Sequence, residues 1–361
     1  MTESGYVHSF PAVRGIQAGR TFYIAMCPMR IVPRIFVFDE EEVPPELRAQ
    51  RTLNRARIPE IAAYLAANPK GYILSALTAS VDAKVSFTPL ESVGNATGLG
   101  VLRIPMDARI LINDGQHRRA AIEEAVKNFP ELGQDNVPVL FFVDEELRRS
   151  QQMFADLNKY AVRPSYSLST LYDHRDPGAE LARYLAQKCS VFKGMTEMEK
   201  STISNRSTKL FTLSSIKHAS RALLRKQARE MVKDEEKLLA KEYWETVGDQ
   251  IPDWKRARER SIQTSELRQG FVHAHGVVLQ ALGHVGAALI SARPKEWKAA
   301  LKKLRGLDWS RSNVALWEGR ALLHGRVSKA STNVTLTANA LKKIIGLSLM
   351  DEELALEREI G

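Results

Sequence analysis

The stretch INDGQHRRAAIEEA, residues 112–125, constrains the fold of this 361-residue chain more than any other. The residues before it, Arg109-Ile110-Leu111-Ile112, are short, apolar and β-branched, which predicts a buried strand. Asp114-Gly115 breaks that strand. Ala121, Ile122, Ala125, Val126 and Phe129 then recur at helical spacing, with Glu123, Glu124 and Lys127 opposite them. A strand that passes through a glycine turn directly into a helix predicts an α/β architecture. The helix start offers unpaired backbone N–H groups and the positive end of a helix dipole, with His117, Arg118 and Arg119 beside them. Such a turn is suited to holding an anion.

Helical phase separates the two arginines. Arg118 lies over Ala121 and Ile122 on the buried side, and Arg119 lies over Glu123 on the side expected to face water. A buried arginine needs a partner, and two readings supply one. A carboxylate such as Asp114 would make the contact a structural ion pair. Alternatively Gly115, Gln116, His117 and Arg118 bind a phosphate, from a nucleotide or a nucleic-acid backbone, with Arg119 as an outer DNA contact. Asp114 and His117 are the only acid–base candidates beside that phosphate, and they support an alternative reading as a nucleotide-dependent hydrolase (an ATPase) or a DNA nickase.

Charge divides the chain. Residues 1–200 hold 24 basic and 24 acidic side chains, whereas residues 201–361 hold 28 and 18, so the net charge of +10 comes entirely from the second part. A basic half attached to a neutral one predicts a polyanionic partner, most economically nucleic acid. The candidate contacts are Arg221, Arg225, Lys226 and Arg229 on a long amphipathic helix over residues 216–239, the run Lys255, Arg256, Arg258 and Arg260, and Arg320, Arg326 and Lys329 near the end. Helical stretches at 309–323 and 338–345 could form a helix-turn-helix-like pair, although the turn between them is longer than usual.

Coarse patterning places strands at residues 21–26, 34–38, 72–79 and 137–144 and a helix at 59–67. Loops are expected at 40–45 and 91–100, and a helix capped by Ser150 follows. Beyond residue 165 the pattern turns mainly helical, so residues 1–165 are expected to form one domain and 166–361 a basic helical region. Two cysteines without a CxxC, and no secretory signal, predict a reducing, cytoplasmic setting. The apolar run 271–290 carries histidines and three glycines, which predicts a buried soluble helix and no membrane span. His273, His275 and His284 lack metal-ligand spacing and read as core histidines, with no metal expected. Cys27, ending a strand-like run, is either a packed apolar residue or a regulatory thiol.

DGQHR followed by a helix, with QMFADLNKYAVRPSYSLSTLYDHRD downstream, resembles the DGQHR-domain proteins, most closely the DndB family of bacterial DNA phosphorothioate modification systems. STISNRSTKLFTLSSI and WEGRALLHGRVSKASTNVTLT carry the same resemblance, which therefore covers most of the chain. It implies a distant ParB/sulfiredoxin-like fold for the N-terminal domain. In that fold Gly115, Arg118 and Arg119, followed by Ala120 and Ala121, would bind the phosphates of a nucleotide, ATP or CTP. Gln116-His117 stand where the ParB pattern has acidic and arginine residues. The resemblance also implies a transcriptional repressor that binds the double-stranded DNA of its own modification operon's promoter and takes no part in the sulfur chemistry; a homo-oligomer is one expected assembly.

Overall fold

A computed structural model describes residues 6–36, 55–90, 98–144, 152–153, 156–157 and 164–359. The predicted loop at 40–45, most of that at 91–100 and the Ser150 cap lie outside these residues. The chain divides into two compact units, 1–162 and 163–361.

The first unit is built on a seven-stranded mixed sheet of order β4-β5-β1-β2-β7-β3-β6. Its strands are β1 (Val7–Gln17), β2 (Arg20–Pro28), β3 (Leu77–Val81), β4 (Ser86–Pro89), β5 (Leu99–Pro105), β6 (Ile110–Asp114) and β7 (Asn136–Val143). Phe10, Ala12, Ala25, Cys27, Val137, Val139 and Phe141 alternate with more exposed neighbours, so one face of the sheet carries the core. Three helices contribute to that core: α1 (Val32–Ile35), α2 (Arg57–Ala67) and α3 (Gln116–Asn128), through Val32, Leu65 and Ile122 among others. β3 pairs parallel with β7 and antiparallel with β6, and all five of its residues are buried. Its sequence alternates, Leu77, Ala79 and Val81 apolar with Thr78 and Ser80 polar, and Ser80 accepts a hydrogen bond from Asn113 Nδ2 at 2.8 Å, so the buried polar positions are not read as a continuous apolar run.

Two strand predictions need correction. Residues 32–35 form a helical turn with Pro33 in its first turn, where the sequence suggested a strand at 34–38. The strand expected at 72–79 begins only at Leu77. The reason is that the end of α2 captures the intervening backbone: Tyr72 N–H donates to Asn68 O at 2.9 Å, and Ile73 N–H to the Tyr64 hydroxyl at 2.9 Å.

The second unit is mainly helical. Its helices are α4 (Tyr166–Tyr172), α5 (Pro177–Lys188), α6 (Leu213–Leu224), α7 (Asp234–Gln250), α8 (Pro252–Arg258), α9 (Thr264–Gly270), α10 (Gly276–Ala292), α11 (Trp297–Leu301), α12 (Val314–Trp317), α13 (Ser331–Ile345) and α14 (Asp351–Arg358). Two small ladders accompany them, β8 (Thr196–Glu197) with β9 (Phe211–Thr212), and β10 (Leu322–Leu323) with β11 (Arg326–Val327). Trp244, Trp317, Tyr243, Phe192 and Phe211 fill the centre. α10 crosses α6 so closely that a Cβ on Gly283 would stand 2.2 Å from Ala219 O.

The long helix expected over 216–239 is two helices. Arg225 ends α6 in the left-handed region, at φ 53°, and Arg229 repeats that conformation at φ 63°. Asp234, Glu235 and Glu236 then open α7, where acidic side chains complement the helix dipole. Arg221 therefore lies on α6, Arg225 at its C-cap, and Lys226 and Arg229 in a loop. Residues 309–323 likewise hold only the short α12, followed by the β10–β11 hairpin, so no helix-turn-helix forms. α13 starts at Ser331, seven residues before the predicted 338, because its first turns bury polar side chains that an apolar pattern misses. Asn333 Nδ2 donates to Arg320 O at 2.7 Å and Thr337 Oγ1 to Asn333 O at 2.7 Å. Of the three predicted core histidines, His273 is fully buried, His275 is partly buried and His284 is exposed.

Candidate functional site

β6 leads into α3 through Gly115, at φ 106°. Any other residue would be strained there, and a Cβ would come within 2.4 Å of Leu77 Cδ2 and 3.3 Å of the Arg118 guanidinium. The strand–turn–helix unit read from the sequence is thus present. What its polar residues do differs from the phosphate reading.

Arg118 is committed to the protein. Its Nη1 donates to Ser75 O at 2.8 Å, Ser75 Oγ at 2.6 Å and Ala76 O at 2.6 Å, and its Nη2 pairs with Asp114 Oδ2 at 2.6 Å. The guanidinium fork ties the turn to the residues that enter β3, using the geometry that distinguishes arginine from lysine. Arg119 does not face water. Its side chain is 12% exposed and bridges Glu123 at 2.5 Å and Pro33 O at 2.7 Å, clamping α1 to α3. Its guanidinium is held by the protein, where helical phase had turned it towards water. Gln116 is buried, and its amide turns back towards Ile112 O and Asn113 O, at 3.4 and 3.5 Å.

At the turn the α3 N-terminus carries no side-chain cap, and His117 lies in its first turn. Burial, and secondly the positive charge of Arg57, lower the His117 pKa, so the imidazole is neutral at pH 7. Arg57 is exposed at the first position of α2. Asp114 is engaged by Arg118, which removes the carboxylate that the hydrolase reading placed beside His117. No cluster of three or more His, Cys, Asp or Glu able to hold a metal occurs among the described residues.

Cys27 is fully buried in β2, and burial raises its thiol to about 12. A sensor cysteine needs accessibility and a lowered pKa, so the regulatory-thiol reading gives way to the packed one.

The basic candidates of the second unit separate into two groups. In the first, the side chain is held within the unit, by a carboxylate or, for Arg258 and Arg221, by neutral groups alone. Lys226 pairs with Glu230 at 3.1 Å and Glu236 at 2.9 Å, Arg256 with Asp253 at 2.9 Å, and Lys255 approaches Glu259 at 3.8 Å. Arg258 donates to Ser190 O at 2.6 Å, Arg320 pairs with Glu357 at 3.1 Å, and Arg221 lies along Gly178 with its Nε buried. In the second group, Arg229, Arg260, Arg326 and Lys329 are exposed and make no ion pair among the described residues, while Arg225 makes only a 3.2 Å bond to Ala287 O. Charge totals cannot distinguish the groups: Lys226–Glu230, Lys255–Glu259 and Arg256–Asp253 are local pairs at helical spacing, whereas Lys226–Glu236 and Arg320–Glu357 depend on contacts made by the fold.

A family model described as DndB, DNA-sulfur modification-associated, matches residues 10–348. The chain belongs to the DndB family. The match runs through both units, so it takes in the sheet with its DGQHR turn and nearly all of the helical unit of this DndB-family chain. No curated protein and no solved structure matches it. No helix among the described residues is long and apolar enough to cross a membrane.

Proposed function

We propose that this DndB-family chain is a DNA-binding transcriptional regulator, a repressor of the operon that introduces sulfur into the DNA backbone. The observation that carries the reading is the set of exposed cations without acidic partners, Arg225, Arg229, Arg260, Arg326 and Lys329, in a family tied to DNA modification. Unpaired cations are what phosphate contacts require, since a lysine or arginine already neutralised releases few counterions from DNA. Binding as a homo-oligomer to the promoter of its own operon belongs to the same proposal, as does a distant ParB/sulfiredoxin-like ancestry for the first unit. The order α2, β3, Gly115 turn, α3, β7 supports that ancestry. The turn then serves the fold through Arg118, and a nucleotide phosphate of ATP or CTP, if carried, would meet the α3 N-terminus, His117 and Arg57.

A gel-shift series with the operon's upstream DNA tests this reading. The logarithm of affinity should fall linearly with the logarithm of salt, by about 0.9 per phosphate neutralised. Arg229→Ala and Arg326→Ala should make the slope shallower, and Arg256→Ala should leave it unchanged. Affinity independent of salt would reject the second unit as the DNA face.

A further inference from the structure

The second unit contains a pocket of about 190 Å³, of whose lining the DNA reading uses only Lys329. It forms where the N-termini of α6 and α10 meet, and Tyr166, Ser201, His218, Gln280 and Lys329 contribute to its wall. No carboxylate among the described residues lines it. The stretches STISNRSTKLFTLSSI and WEGRALLHGRVSKASTNVTLT, far apart in sequence, supply much of this wall, Ser201 to Ser215 from one and Lys329 from the other.

Several independent features give the pocket an anionic preference. α10 is 17 residues long, no side chain caps its start, and its first residues, Gly276 and Val277, line the pocket, so the positive end of its dipole lies there. Gly276, its first residue, lines the pocket; a Cβ there would lie 3.1 Å from Ser215 Cβ and 3.8 Å from Lys329 Nζ. The ammonium thus stands beside the helix start, and it makes no hydrogen bond or ion pair among the described residues. Ser201 Oγ is buried and also without a partner. A buried hydroxyl left unsatisfied is costly, which points to a polar ligand as its acceptor. By contrast, Thr212 and Ser215 are spent on capping α6 through their reciprocal bonds, so they shape the wall without serving as donors.

We propose that this pocket binds a phosphoryl group. Three phosphoryl oxygens can use the α10 N–H groups, the Lys329 ammonium, Ser201 and the Gln280 amide together, whereas a carboxylate offers two oxygens. Lysine beside a helix N-terminus is an established physical combination for phosphate. The volume is below the roughly 300–1,000 Å³ of sites for drug-sized ligands, so the pocket takes the phosphoryl head and few further atoms. Two sources carry that chemistry, a small phosphorylated compound and a backbone phosphate of DNA. The proposal does not depend on the repressor reading.

Calorimetric titration of the full chain with inorganic phosphate, at constant ionic strength, is the test. Saturable binding is expected, weakened about tenfold or more by Lys329→Gln. Gly276→Ala should weaken it as well, and Lys302→Ala, an exposed charge elsewhere on the unit, should not. Thermal melts of each variant separate a binding defect from misfolding, and Lys329→Gln, exposed and unpaired, should melt as wild type. No saturable phosphate binding, or equal binding by wild type and Lys329→Gln, would overturn the proposal. A duplex-DNA arm assigns the source. If phosphate displaces DNA and Lys329→Gln weakens both, the group is a DNA phosphate; if DNA binds undisturbed with phosphate present, it is a small phosphorylated compound.

Discussion

Two helices in this chain start at a glycine with a cation close by, and the two cations have opposite roles. At the start of α3, Arg118 is bonded to Asp114, Ser75 and Ala76 within the first unit. At the start of α10, Lys329 stands near Gly276 and is bonded to nothing among the described residues. The conspicuous motif DGQHRR therefore fastens a fold, and the inconspicuous lysine of VSKAS is the one available to a ligand. The difference teaches that a cation beside a helix N-terminus is a binding group only if no protein oxygen reaches it first.

Arg118→Ala should produce the largest effect and the clearest break of this contrast. Removing the fork strands Asp114 and three acceptors near β3, at a cost of about 3 kcal/mol after allowance for the partly exposed carboxylate. Denaturant unfolding reads this directly. A variant of unchanged stability that lost anion binding would return Arg118 to the phosphate role and erase the contrast.

Acid should weaken the second unit next. Burial foremost, then the nearby charges of Arg311 and Lys329, push His275 at the α10 N-cap down to about 4 from an ordinary 6.5. Between those two values the unfolded chain binds a proton that the folded chain refuses, so stability is lost as pH falls through that window, by about 2–3 kcal/mol. His275→Gln should flatten this part of the stability profile. A profile identical to wild type would show that His275 titrates normally.

Gly115→Ala follows, at roughly 2 kcal/mol, from the positive φ and the contact with Leu77. Arg119→Ala should cost about 1 kcal/mol, because its bond to Pro33 O is shielded while Glu123 is half exposed. A loss below a few tenths of a kcal/mol would restore the solvent-facing position that helical phase suggested. Lys329→Ala should be the smallest, within about 0.5 kcal/mol, as expected for a surface cation without partners.

Legibility followed the same division. The α/β character, the strand–glycine–helix unit around Gly115 and the family resemblance were readable, since each rests on local spacing. The extent of 216–239 was not, because its periodicity continues across Arg225 while the backbone there turns left-handed. Helical phase placed Arg118 inward correctly and misplaced Arg119, since phase takes no account of α1 arriving over that side of α3. The phosphate pocket left no local signal, as its residues come from five separate segments of the second unit.

The sequence by itself determined what is covalent or local: the total charge and its concentration in residues 201–361, the need for glycine at 115, and the helix and strand periods that match a DndB-family chain. Only the tertiary structure decided which charges are available. Ion pairing falls off within a few ångströms, so it depends on where the backbone sets each side chain: Arg256 meets Asp253 one helical turn away, Lys226 meets Glu230 and, across the loop, Glu236, while Arg229 and Lys329 have no ion pair among the described residues. Cys27 followed the same logic: its place at the end of an apolar strand was written in the sequence, but burial by the sheet's packed face raised its pKa and made it part of the core.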